Sequence, residues 1–135
     1  MNVLYYYTAA YHLQAILNSG YLKLTESNLK EYVEMYKPVV WLTTQKEPEP
    51  YSLGLSGSFL DKTEIRIHVK RKPTPTIKTW EQFSTKNKMN PEFKSSFSEG
   101  RKPETWFIST KEITLKDILL IENRYTKEIY YQNEM

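Results

Sequence analysis

Val3-Leu4-Tyr5-Tyr6-Tyr7-Thr8, with the segment Ala9 to Gly20 behind it, is the stretch whose reading decides the fold. Valine, leucine and three consecutive tyrosines favour an extended strand, because β-branched and ring side chains pack well on a pleated surface. Thr8 offers a hydroxyl to cap a helix beginning at Ala9. Leu13, Ile16 and Leu17 then recur at helical spacing. Gly20 stands where a left-handed residue closes a helix, and Tyr21 supplies the apolar contact that such a cap uses. A strand and a helix therefore open the chain, and Tyr21 to Thr25 alternates as a second, short strand.

Further along, Ser27 is placed to cap a short helix carrying Leu29, Val33 and Tyr36, which Pro38 stops. Val39 to Thr44 is a β-branched and aromatic run with the character of a central strand. Gln45 to Ser58 contains Pro48, Pro50, Gly54 and Gly57 and reads as a long loop. Thr63 to Val69 alternates, with Ile65, Ile67 and Val69 on one face and Glu64, Arg66 and His68 on the other. Lys72 to Pro103 is poor in aliphatic residues and reads as a lid or excursion, anchored through Trp80, Phe83, Phe93 and Phe97. Thr105 to Thr110, Ile118 to Glu122 and Glu128 to Tyr131 are further strands, with a turn or short helix at Thr114 to Asp117. Six or seven short strands and one clear N-terminal helix give the α+β class, as a single domain over residues 1–135.

Composition narrows the chemistry. The 135 residues include no cysteine and two histidines, which excludes a disulfide framework, a cysteine nucleophile and thiolate metal ligation, and argues against a multi-histidine zinc site. No metal is expected. The chain has no apolar run of membrane-spanning length and no signal-peptide pattern at its start, so no membrane partner and a cytoplasmic location are expected. The net charge of +3 is concentrated in the middle third, from Lys70, Arg71 and Lys72 to Arg101 and Lys102. Such a stretch is either a phosphate-contacting surface or a solvated charged face. Eleven tyrosines suit both cores and flat ligand-stacking surfaces.

Leu4 to Thr8, His12-Leu13, Ile16-Leu17, Ser19 to Leu22, Glu26 to Leu29, Val39 to Thr43, Asp61 to Thr63 with Arg66, and Glu104 to Ile108 follow one another in an order that is similar to a known one. That order resembles bacterial ADP-ribosyltransferase-like proteins, including the DNA-targeting ADP-ribosyltransferase toxins and, more distantly, the RNA 2′-phosphotransferases. The resemblance implies two small, mainly antiparallel sheets forming a split cleft that grips NAD as substrate. It further implies that Glu104 is catalytic, its fixed carboxylate countering the sugar cation that develops as nicotinamide leaves. Tyr6 falls where the family has a ribose-binding histidine, which is a departure. Trp41, Thr43 and Thr44 fall on the element that packs the nicotinamide. Arg66 has two readings, a bidentate pyrophosphate ligand or a sheet residue paired with a neighbouring strand's acid.

Two functions follow from these residues. The first is an NAD-dependent ADP-ribosyltransferase modifying a protein or nucleic-acid acceptor, with Glu104 catalytic and Tyr6, Trp41, Thr43 and Arg66 binding the nucleotide. The second is a catalytically degraded module of the same kind that binds a nucleotide or a protein partner, in the manner of a phage or mobile-element accessory factor. Tyr6 favours the second and Glu104 the first.

Overall fold

A computed structural model of the chain describes residues 3–23, 39–49, 61–71 and 76–133. The end of the strand expected over Tyr21 to Thr25, the helix expected between Ser27 and Pro38, and the expected loop from Pro50 to Ser58 lie outside the described residues, as do the side chains of Phe93 and Phe97; Tyr21–Leu22 of that strand is described. The elements are β1 (Val3–Thr8), α1 (Leu13–Ser19), β2 (Tyr21–Leu22), β3 (Val40–Thr43), β4 (Ile65–Lys70), β5 (Ile77–Thr79), α2 (Trp80–Lys86), α3 (Pro91–Ser98), β6 (Trp106–Ser109), β7 (Ile113–Thr114), β8 (Ile118–Asn123) and β9 (Ile129–Gln132). Short 3-10 turns occupy Ala10–His12, Pro103–Thr105 and Leu115–Asp117.

The fold is α+β, built on one antiparallel sheet ordered β5-β6-β3-β1-β4-β8-β9, with β2 and β7 forming a separate two-stranded sheet. This differs from the two small sheets expected from the resemblance. β6, β3, β1 and β4 lie side by side because Thr43 pairs with both Tyr5 and Trp106, and Tyr5 also pairs with His68.

Alternation along the strands sorts the side chains onto two faces. One face carries Leu4, Ile65, Ile67, Val69, Phe107 and Ile121, all buried, and α1 packs on it through Leu13, Ile16 and Leu17. The start of α1 differs from the expectation: Ala10–His12 forms a 3-10 turn first, and Thr8 ends β1 rather than capping the helix. Its end is as read, with Gly20 at φ 82° and its N–H on the Ile16 carbonyl. No side chain adopts that φ cheaply, which is why glycine stands there.

The opposite face is divided. On its β6 and β3 half, Trp80, Phe83 and Met89 pack against Trp106, Ile108, Val39 and Trp41. The ring centroids of Trp41, Trp80 and Trp106 are 5.7–5.8 Å apart. Helix α2 is fixed there by a reciprocal cap, in which Thr79 Oγ1 accepts from the Gln82 N–H and Gln82 Oε1 from the Thr79 N–H, both at 3.0 Å. The segment read as an excursion thus contributes an edge strand and a helix to this layer. The β1, β4 and β8 half of the same face is polar, and it holds the site described next.

Candidate functional site

Tyr5 and Tyr7 on β1, Arg66, His68 and Lys70 on β4, and Leu120 and Glu122 on β8 share this face, since Tyr5 pairs with His68, Tyr7 with Arg66, and Glu122 with Arg66. A bulge at Leu119 keeps Leu120 beside His68 while Ile118 turns into the core. An arginine and a histidine thus meet one acid across a strand pair, and the geometry is close. Glu122 Oε2 accepts from Arg66 Nε at 3.0 Å and lies 2.5 Å from His68 Nε2. Burial alone would raise the Glu122 carboxyl, but the His68 and Arg66 hydrogen bonds leave it below its ordinary value.

The loop after β3 crosses this face. The Tyr7 hydroxyl lies 2.7 and 2.6 Å from the carbonyl oxygens of Gln45 and Lys46, which share its single proton, and Arg66 Nη1 donates to the Lys46 carbonyl at 2.6 Å. Burial pushes the Tyr7 hydroxyl up to about 12, with the neighbouring Arg66 charge opposing it. The loop is tied on its other side to the approach to β6. There the Thr44 N–H reaches the Thr105 carbonyl at 3.0 Å, Gln45 Nε2 reaches Thr105 Oγ1 at 3.2 Å, and Lys102 pairs with Glu49. Glu47 projects from it to both Arg66 and Arg124.

Arg124 follows β8 and is itself held firmly. Its Nε donates to the Thr63 carbonyl at 2.9 Å, and its Nη2 to Thr63 Oγ1 and Tyr125 Oη at 3.0 and 2.8 Å. Thr63 and Tyr125 both donate to Asp61. Burial would raise the Asp61 carboxyl, and these hydrogen bonds outweigh it and lower it. The Asp61-Lys62-Thr63 segment, for which the sequence offered no role beyond a turn, is therefore the cradle of Arg124.

Between the crossing loop and the strand ends, Tyr5 remains half-buried. Its ring meets His68 edge-on at 5.1 Å and stacks on Tyr7 at 6.5 Å. Lys70 is half-buried on the same face, whereas Arg71 lies over the Phe107 ring at 4.6 Å on the other side of the sheet. Lys70 and Arg71 thus lie on opposite faces of the sheet.

No family model, curated protein or solved structure matches the chain. The site is accordingly read from its own residues. Trp41, Thr43 and Arg66 occupy one face of the sheet, Trp41 within the α2 cluster, Thr43 next to Tyr5, and Arg66 against Glu122. Tyr6 lies on the other face, packed against the core and pairing with Ile67. Burial raises its hydroxyl above its ordinary value, with a Thr8 hydrogen bond opposing. Glu104 is exposed in the 3-10 turn before β6, one residue from the Thr105 that anchors the crossing loop. Glu47, Glu122 and Arg124 were not singled out from the sequence. For Glu122 a signal existed in the alternative reading of Arg66, which required an acid on a neighbouring strand. Among the described residues, no group of histidine, aspartate and glutamate is arranged to hold a metal ion, and no helix is long and apolar enough to cross a membrane.

Proposed function

We propose that the chain is a nucleotide-binding module that receives a base on Tyr5 and His68 and the attached phosphates towards Arg66 and Arg124. The observation that carries this reading is the half-buried Tyr5 ring, set edge-on to His68 and stacked on Tyr7. A sheet face bearing aromatic rings beside basic side chains is suited to stacking a base and pairing with phosphate. The rings are also held in place. Tyr7 is fixed by its two carbonyl acceptors and His68 by Glu122, so little side-chain entropy is lost when a ligand docks. NAD, the nucleotide that the resemblance to ADP-ribosyltransferase-like proteins implies, offers an adenine and a pyrophosphate and is the first ligand to try.

The separation of Tyr6 from Trp41, Thr43 and Arg66 by the thickness of the sheet supports binding over transfer. One observation favours the transferase reading as the second choice. Glu104 borders the turn that anchors the crossing loop, where its carboxylate is exposed to a ligand. In that reading nicotinamide leaves the ribose of NAD, Glu104 counters the cation, and a macromolecular nucleophile takes the ADP-ribose.

The two readings part on a pair of variants measured for NAD affinity and nicotinamide release. In the binding module, Tyr5→Ala weakens NAD binding by about 1–3 kcal/mol, the range for one base–ring contact, and no nicotinamide is released. In the transferase, nicotinamide appears and Glu104→Gln cuts its rate by roughly 100-fold or more. Wild-type affinity in Tyr5→Ala contradicts the sheet-face platform.

A further inference from the structure

The crossing loop places an acid where two arginines converge. Glu47 Oε1 lies 3.3 Å from Arg66 Nη1 and its Oε2 lies 3.8 Å from Arg124 Nη1, so one carboxylate spans both guanidinium groups. The partners are unlike in burial: the Arg66 side chain is 4 % exposed, that of Arg124 19 %, and that of Glu47 75 %. Neither arginine depends on Glu47 for its position. Arg66 is held by Glu122 and the Lys46 carbonyl, and Arg124 by Thr63, Tyr125 and the face of the Tyr125 ring at 4.5 Å. Preformed guanidinium donors bridged by a solvent-facing carboxylate are the arrangement of an anion site filled by the chain's own acid.

We infer that Arg66 and Arg124 form a phosphoryl-binding site and that Glu47 occupies it in the free protein as an exchangeable internal anion. This rests on the nucleotide-binding reading for its biological ligand, a nucleoside diphosphate moiety, but the site itself is defined by the two arginines alone. A phosphoryl group carries several terminal oxygens and more charge than a carboxylate, so it spans the same pair of donors while gaining stronger charge-assisted bonds. Glu47 leaves by rotation of its own exposed side chain. The carbonyls of Gln45 and Lys46 keep the loop on Tyr7 and Arg66, so entry of the phosphoryl group requires no wider opening.

The distinguishing consequence is that removing Glu47 tightens binding, whereas removing an ordinary stabilising residue does not. Calorimetric titration of wild type, Glu47→Gln and Glu47→Ala with inorganic pyrophosphate, ADP and adenosine tests it. Both variants are expected to bind pyrophosphate and ADP about two- to fivefold more tightly than wild type, the size of an exposed ion pair removed as a competitor. The gain shrinks as salt is raised. Adenosine, which has no phosphate, binds all three proteins equally. Thermal unfolding close to that of wild type confirms that both variants are folded. Equal pyrophosphate and ADP affinity across the proteins, or no pyrophosphate binding by any of them, overturns the anion site. If that occurs while adenosine and ADP still bind, the nucleotide platform stands and only this inference falls. Pyrophosphate tightened in both variants, with adenosine bound by none, upholds the anion site and removes the base platform.

Discussion

Replacing Glu122 by alanine leaves Arg66 buried with its strand-to-strand partner gone. Two contacts disappear together, the 3.0 Å bond from Arg66 Nε and the 2.5 Å contact with His68 Nε2. The Arg66 side chain is 4 % exposed and that of Glu122 11 %, so water does not readily replace the lost acid. Arg66 keeps the exposed Glu47 and the Lys46 carbonyl, so the cost is about 2–3 kcal/mol, below the roughly 3–5 kcal/mol of a buried charge left with no compensation. Glu122→Gln keeps the shape and one acceptor, and about half of that loss is expected. A double variant, Arg66→Met with Glu122→Leu, removes both charges and recovers to within about 1 kcal/mol of wild type if the cost lies in the cation left without its buried acid. Urea unfolding gives the free energies, with an unchanged m-value as the check that the same surface is exposed. A loss below about 1 kcal/mol for Glu122→Ala, as for exposed pairs, refutes the reasoning that this cluster is a buried, desolvated one.

Other elements give their own tests. Tyr7→Phe removes the hydroxyl that holds the Gln45 and Lys46 carbonyls, so amide exchange at Glu49, whose N–H binds Gln45 Oε1, speeds up with a stability loss of about 1 kcal/mol. Unchanged exchange there contradicts the role given to Tyr7. Ultraviolet difference spectroscopy of wild type is expected to show the Tyr7 phenol pushed up to about 12 by burial; the associated stability is intact below pH 10 and is lost as pH rises towards 12. The lowered carboxyls of Glu122 and Asp61 act with the opposite sign: their contribution is present above the ordinary carboxylate range and is lost as pH falls through their folded values. Glu122→Gln should therefore flatten the acid limb of the stability curve. Thr79→Ala removes one arm of the reciprocal cap and costs about 1 kcal/mol with some loss of helical circular dichroism.

Elements with a strong local period were legible from the residues alone. β4 followed from the Ile65, Ile67 and Val69 alternation, and the end of α1 from Gly20, whose left-handed φ the sequence signalled directly. β5 and α2 were missed because the segment from Lys72 looked too polar to order. Its sequence nevertheless contains Thr79 and Gln82 at capping-box spacing, with Trp80 between them and Phe83 directly after. That local signal was outweighed by composition, and the burial of Trp80 against Trp106 depends on a long-range contact that no local pattern reveals. Register explains the rest. Tyr5, Tyr6 and Tyr7 are indistinguishable as letters, yet pairing with β4 puts Tyr5 and Tyr7 on the polar face and Tyr6 in the core. The partnership of Arg66 with Glu122 joins residues 56 apart in sequence, and the bridge from Glu47 to Arg124 depends on a loop folding back over the sheet.

The most direct measurement of the central claim is the response of the Tyr5 and His68 ring resonances of the wild-type protein to added NAD, followed by nuclear magnetic resonance. Saturable shifts are expected at both rings, with the core-facing Tyr6 ring moving far less. Shifts centred on Tyr6 with Tyr5 and His68 unmoved, or no saturable shift at any of the three, would contradict it.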